Sequence, residues 1–235
     1  MAGSALHDDV LDALGRRIVG GELAPGTVLT LDSVDVEYAV SRSVSREAVR
    51  VLSSMGLVAS RRRVGVTVLP RSSWQVFDPR VIRWRLDSGD RLAQLQSLGE
   101  LRRGLEPVAA GLAAERATPE QCGALSQAAG EMVVHGRSGD LEAFLAADVA
   151  FHRILLEATG NEMLTAMGDV VAEVLRGRTH HDLMPAHPKA EAVDLHERVA
   201  RAVRSGDAAA ARAAMQAIID EAADAVAEAE QEGPA

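Results

Sequence analysis

Two sets of residues in this sequence have the types and spacing to do chemistry. The first is basic: Arg42, Arg46 and Arg50 recur every four residues, and Arg61, Arg62 and Arg63 follow as a block. Between Ser41 and Arg71 there are seven arginines and a single acid, Glu47, although the whole chain carries a formal charge of -9. Such a local excess of positive charge in an acidic chain asks for a polyanion. The second set is Asp148, His152 and His196. A carboxylate and an imidazole four residues apart project from one face of a helix. With a histidine from a later helix they make a donor set for zinc or another divalent ion; equally, they can hydrogen-bond a polar ligand with no metal.

Both sets need a scaffold, and the composition says which kind. Apolar residues make up 47 % of the 235, which excludes a mainly disordered chain, and aromatics only 3 %, with abundant Ala, Leu and Val, which favours helices. The single cysteine, Cys122, permits no internal disulfide and reads as a small buried apolar residue, so a cytoplasmic setting is expected. No apolar run approaches the roughly 18 residues of a membrane span, and the N-terminus lacks the apolar core of a signal peptide.

Along the first part of the chain, Val10, Leu11, Leu14 and Ile18 predict a helix from about Leu6 to Val19, stopped by Gly20-Gly21. Pro25-Gly26 then turns the chain, and Thr30 caps a short helix to Tyr38. A third helix, with Ser43 as its N-cap, runs to about Met55 and buries Val44, Ala48, Val51, Leu52 and Met55. Leu57–Ser60 and Val66–Leu69 read as strands joined through Arg61–Gly65, where Gly65 supplies a positive φ. That succession is a winged helix-turn-helix. Ser43, Ser45, Arg46 and Arg50 then line the stripe that enters a major groove, with Arg42 just before the cap. Glu47 satisfies the helix N-terminus or steers Arg46. The Arg61–Arg63 wing reaches the backbone or a narrow minor groove.

Beyond a connector, the remaining elements read as helical. Asp78-Pro79 starts a helix to about Asp87, and Leu92–Ala117 forms a long one kinked at Glu106-Pro107. Thr118-Pro119-Glu120-Gln121 is a capping box, and Asp140 caps a helix ending at Gly160. Helices at about Glu162–Leu183, Ala190–Ser205 and Ala208–Glu230 complete a mainly α chain: winged domain 1–70, connector 71–79, helical domain 80–235.

The segments "VLDALGRRIVGGELAPGTVL" and "VSRSVSREAVRVLSSMGLVASRRRVGVTV" closely resemble the N-terminal domain of the GntR family of bacterial transcription regulators. "ELRRGLEPVAAGLAAERAT", "DVAFHRILLEATGN" and "LHERVARAVRSGDAAAARAAM" resemble its FadR-type (FCD) ligand-binding domain, so the likeness spans about Leu6 to Ala227. The resemblance implies Arg42, Arg46 and Arg50 as DNA contacts, assisted by the wing from Arg62 and Arg63 to Gly65. Asp32 and Ser33 depart from it, because relatives often carry a basic DNA contact there. Metal-binding FadR-type domains use an Asp-x-x-x-His pair, a later histidine and usually a fourth on the last helix; Ile218 stands in that fourth place. Arg102 falls where the family often places an arginine facing the effector cavity, and a buried guanidinium there needs the effector's carboxylate or Glu106. Asn161 reads as a helix cap or an effector contact. His180, His181 and His187 read as exposed linker histidines or as supplements to the site.

"RSSWQVFDPRVIRWRL" is similar to the connector of GntR regulators of sugar-acid catabolism, gluconate and galactonate repressors among them; the two tryptophans also serve to pin a joint. The expected protein is a homodimeric repressor that reads a short palindromic DNA operator and is released by a small carboxylate effector, with no enzyme activity and no membrane partner. A relative sensing another organic acid is the near alternative. A metal-dependent hydrolase built on Asp148, His152 and His196 lacks a general base nearby in sequence and leaves the basic segment unexplained. An architectural DNA binder leaves the polar cluster unexplained.

Overall fold

The structure, a computed structural model, describes residues 2–61, 63–181 and 190–232. It divides into two compact units, 1–91 and 92–235. Arg62 and His187, both named above, lie outside the described residues.

In the first unit, α1 (Ala2–Val19) carries Val10, Leu11, Leu14 and Ile18 into a core shared with Val34, Ala48, Leu52, Leu57 and Val68. α2 (Leu31–Glu37) starts at a reciprocal cap in which the Thr30 and Ser33 hydroxyls each accept the other's backbone N–H. α3 (Arg42–Ser54) follows across a turn in which Ala39 takes a positive φ of 51°. The cap of α3 differs from expectation: Ser41, not Ser43, is the N-cap, so Arg42 lies in the first helical turn rather than before it. The buried face is rotated accordingly. Ser45, Ala48, Val49, Leu52 and Met55 face the core, while Val44 and Val51 are only half-buried.

The hairpin is present as β2 (Val58–Arg61) and β3 (Gly65–Val68), in antiparallel register with Val58 opposite Val68. A two-residue strand, β1 (Val28–Leu29), pairs with the other edge of β3 and makes the order β1-β3-β2. Gly65 has the expected positive φ, 118°, and a second reason to be glycine: a Cβ would lie 2.6 Å from the Leu29 carbonyl oxygen. α4 (Pro79–Leu86) is capped by the Asp78 carboxylate, which accepts the Arg80 and Val81 N–H groups. It packs on α1, where the Trp84 ring occupies the space above Gly15 and its indole N–H donates to Asp12 at 3.2 Å. The sequence placed α4 in the second domain; it belongs to the first unit.

In the second unit, α5 (Arg91–Arg116) continues unbroken past Pro107, so the proline expected to kink the helix does not end it. α6 (Pro119–Ser138) has the predicted capping box at Thr118, and α7 (Leu141–Ala158) the predicted Asp140 cap. Gly160 follows α7 with a φ of 63°. The expected 162–183 helix is two: α8 (Glu162–Thr165) and α9 (Gly168–His180). α10 (Ala190–Ser205) and α11 (Ala208–Glu232) complete the bundle. Ala110, Ala113, Leu125, Met132, Phe151, Leu155, Val199, Met215 and Ile219 form its core. Alanine at so many contacts lets helices approach closely, and the aromatic Phe151 fills the remaining space. Among the described residues, no helix is long and apolar enough to cross a membrane.

Candidate functional site

On the first unit, the exposed side of α3 presents Arg42, Ser43, Arg46 and Arg50. Ser45 does not join them. It is fully buried, because it lies three, four and seven residues before Ala48, Val49 and Leu52 on the stripe that faces the core. Arg46 carries no ion pair among the described residues. Arg50 is held by Glu47, its Nε donating at 2.8 Å and Nη2 at 2.5 Å, so Glu47 steers Arg50 rather than Arg46. Arg42 Nη1 contacts the carboxylates of both Asp32 and Asp35 on α2. Ser43, Arg46, Glu47, Arg50, Ser53 and Ser60 border a shallow concavity of about 670 Å³. At the hairpin tip, Arg63 is exposed with a φ of 66° and Gly65 follows.

In the second unit, Asp148, His152 and His196 come together as their spacing predicts, all buried. His152 Nε2 lies 3.3 Å and His196 Nε2 3.4 Å from the same oxygen, Asp148 Oδ1. These separations fit a cation. A tetrahedral ion with bonds of about 2.0–2.1 Å keeps its ligands roughly 3.3–3.4 Å apart. Asp148 Oδ1 and His152 Nε2 are also buried without hydrogen-bond geometry between them, as two donor lone pairs facing a common point would be. Ile218, at the place of a fourth ligand, is a buried aliphatic side chain.

The cluster continues into α5. Glu106 Oε2 lies 2.6 Å from His152 Nδ1, and its Oε1 accepts from Arg102 Nε at 2.5 Å. Glu106 is thus the carboxylate partner that Arg102 requires, and it fixes the imidazole so that Nε2 faces Asp148. Burial opposes ionisation of Glu106, but Arg102 and His152 outweigh it and bring the carboxyl down to about 2. Burial likewise opposes a charged His152, yet Glu106 and Asp148 raise the imidazole to about 9 when no ion is bound. Asp148, despite its own burial, is held far below the usual carboxylate range by His152 and His196.

Arg102 also borders a cavity of about 260 Å³ between α5, α9 and α11, together with Gln96, Arg103, Val174, Arg178 and Ile219. Arg178 is buried there and its Nε has no hydrogen-bond partner among the described residues; Glu221 is 3.9 Å from its Nη2. Burial first, then the like charge of Arg102, depress its pKa, the mark of a guanidinium short of anionic company.

Sequence reasoning singled out neither Arg178 nor the link from Glu106 to His152. The signal was there in both. Arg102 and Glu106 share a face of α5 with Ala109, Ala110 and Ala113, and Arg178 lies three, four and seven residues past Leu175, Val174 and Val171. A charge on an apolar stripe must be satisfied inside. Of its two readings Asn161 takes the helix cap, its Oδ1 accepting the Met163 N–H at the start of α8; the effector contact is corrected, since its side chain is exposed, outside both the cluster and the cavity lining. His180 is half-exposed, 3.3 Å from Glu142, and does not join the cluster.

Comparison with known proteins matches both units. The profile described as "Bacterial regulatory proteins, gntR family" matches residues 6–68, and the FCD domain matches residues 97–221. The galactonate operon transcriptional repressor of Escherichia coli K12 is 31 % identical over 170 residues, covering 72 % of this chain and 73 % of that one. The HTH-type transcriptional regulator LutR of Bacillus subtilis is 32 % identical over 208 residues, covering 85 % and 91 %. Among solved structures, E. coli McbR/YncC aligns over 96 % of this chain and 98 % of its own with a TM-score of 0.56 at 17 % identity. Streptococcus agalactiae GntR covers 93 % and 99 % with a TM-score of 0.51 at 24 % identity. These two likenesses carry the fold alone.

Proposed function

The chain belongs to the gntR family of bacterial regulatory proteins and carries an FCD domain, and on that footing we propose that it represses a sugar-acid catabolic operon and is released by a carboxylate effector. It is a transcription regulator and not an enzyme, which removes the hydrolase alternative.

In this reading a homodimer binds a short palindrome, each α3 lying in the major groove of one half-site. Arg46 and Arg50 reach base edges or phosphates, Ser43 bonds a phosphate, and Arg42 reaches a base. The wing contributes Arg62, Arg63 and the close backbone approach at Gly65. Ser45 is withdrawn from the contact set because it is buried.

Asp148, His152 and His196 would hold a divalent ion, zinc being the best match to one carboxylate and two imidazoles. Such an ion would supply positive charge to attract an acidic effector. The chain's own residues do the rest. Glu106 orients His152, Ile218 closes the remaining side with hydrocarbon, and Arg102 and Arg178 draw a carboxylate into the cavity. Arg102 is paired with Glu106 and Arg178 faces Glu221 at 3.9 Å, so a divalent ion held by Asp148, His152 and His196 would leave a surplus of positive charge in this part of the bundle. An acidic effector neutralises that surplus.

The observation that carries the effector reading is Arg178: a buried guanidinium beside a cavity, with one donor unspent among the described residues. The sugar-acid class is supported by the 31 % identical repressor of a galactonate operon. Effector binding shifts operator affinity by its preference for one arrangement of the dimer over another. The test is a thermal-shift screen of sugar acids and other carboxylates, with and without zinc. A true effector at 100 times its Kd raises the melting temperature by roughly 5 °C or more, and Arg178→Ala removes the shift. If no carboxylate moves the melting of the zinc-loaded wild type, the effector reading fails.

A further inference from the structure

Arg42 is the arginine of α3 that meets two carboxylates of α2. Its Nη1 contacts Asp32, and it lies 3.2 Å from Asp35 Oδ2. Asp32 is 83 % exposed, so nothing in the core requires a carboxylate there; Asp35 is 21 % exposed and sits beside the buried Ser45. The Ser45 hydroxyl first, and then Arg42, hold the Asp35 carboxyl below its ordinary range. Two acids therefore stand on α2 at the edge of a surface whose purpose, on the reading above, is to meet phosphates.

We propose that Asp32 and Asp35 are positioning residues that set DNA specificity through Arg42. They occupy one nitrogen of the guanidinium, Nη1, and leave Nε and Nη2, which hold no hydrogen bond among the described residues. Those two donors lie on one edge of the planar group and match the paired acceptors O6 and N7 of a guanine. A phosphate, by contrast, binds Arg42 as a charge, and that charge is already cancelled by the neighbours. Non-specific binding is almost wholly Coulombic. The two carboxylates penalise it twice, by competing for Arg42 and by repelling the phosphates beside it. A base-reading complex keeps the ion pairs and loses little. Asp32 and Asp35 thus weaken binding to arbitrary duplex more than binding to the operator.

The inference rests on the DNA-reading proposal, and one experiment separates their failures. The full-length wild type is used to enrich a consensus from a random duplex pool. Affinities for that consensus and for a scrambled duplex are then measured by fluorescence anisotropy between 50 and 200 mM KCl. The proteins are wild type, Asp32→Asn, Asp35→Asn, the double variant, Asp35→Glu, and Asp9→Asn on the exposed side of α1 as a charge control. The expected result is a scrambled-duplex affinity raised roughly three- to tenfold in the double variant, with a smaller gain on the consensus. The ratio of the two affinities falls, and the salt slope on scrambled DNA steepens by about 1 as Arg42 gains a phosphate. Asp35→Glu and Asp9→Asn keep the wild-type ratio. Equal gains on both duplexes, or no change in the ratio, overturn the inference while leaving DNA reading intact. If Asp35→Asn fails to fold, Asp32→Asn alone decides, since its side chain lies in solvent. Absence of any enriched sequence with wild type overturns both proposals.

Discussion

The outer face of α3 and the buried chain from Arg102 to His196 are built from the same pairings. Arg50 is chelated by Glu47 three residues before it, and Arg102 by Glu106 four residues after it. The surroundings differ. Arg50 is 70 % exposed, whereas Arg102 and Glu106 are almost wholly removed from water. An ion pair in solvent is close to neutral in energy, since water and salt offer each partner nearly as good company. A buried pair is a commitment: removing one member strands the other, at about 3–5 kcal/mol. The exposed arginines can therefore be handed over to a duplex and taken back. The buried ones can only be approached by a group that brings its own negative charge. One region suits a large, exchangeable polyanion and the other a small acid.

The largest expected effect tests that difference. Glu106→Gln leaves Arg102 and His152 without their shared carboxylate and should cost about 3–5 kcal/mol, a fall in melting temperature of roughly 10 °C. Glu47→Gln, the equivalent change on α3, should leave melting within about 1 °C. Similar melting for the two variants would break the comparison. Next, Arg46→Ala combined with Arg50→Ala should weaken operator binding by about a hundredfold or more with melting unchanged, measured by anisotropy alongside thermal unfolding. A loss of folding instead would mean that these arginines hold the unit together.

Smaller effects separate packing from charge in the first unit. Gly15→Ala puts a Cβ about where the Trp84 ring lies, 2.4 Å from its nearest atoms, and the ring has no slack because its indole is tied to Asp12. Overpacking there should cost about 1–3 kcal/mol in chemical denaturation, with no direct effect on charge. Smallest of all, Ala39→Gly relieves a non-glycine residue at positive φ in the turn between α2 and α3. The gain should be about 0.5–1 kcal/mol, seen as a melting temperature a few degrees higher. An altered operator affinity in this variant would mean that the turn also sets the pitch of α3.

Much of this was legible before any coordinates. Thr118, Asp78 and Asp140 cap helices where their side chains and the following residues dictate, because capping is local chemistry. The four-residue step from Asp148 to His152 survived for the same reason, and His196 followed once the bundle closed. What depended on neighbours was harder to read. Ser41 and Ser43 are equally good caps by type, and a serine such as Ser45 gives no apolar signal that it shares the stripe of Ala48, Val49 and Leu52. β1 is two residues long and exists only because β3 offers it an edge. Arg178 shows as a site residue only when α5, α9 and α11 are seen to enclose one cavity.

Coupling between these two regions is the central expectation, and operator affinity is its direct readout. The zinc-loaded protein is bound to its consensus duplex at fixed salt and titrated with galactonate and related sugar acids. One of these acids is expected to dissociate the complex in wild type but not in Arg178→Ala, which still binds the duplex. Operator binding unmoved by every carboxylate that raises the melting temperature would contradict it.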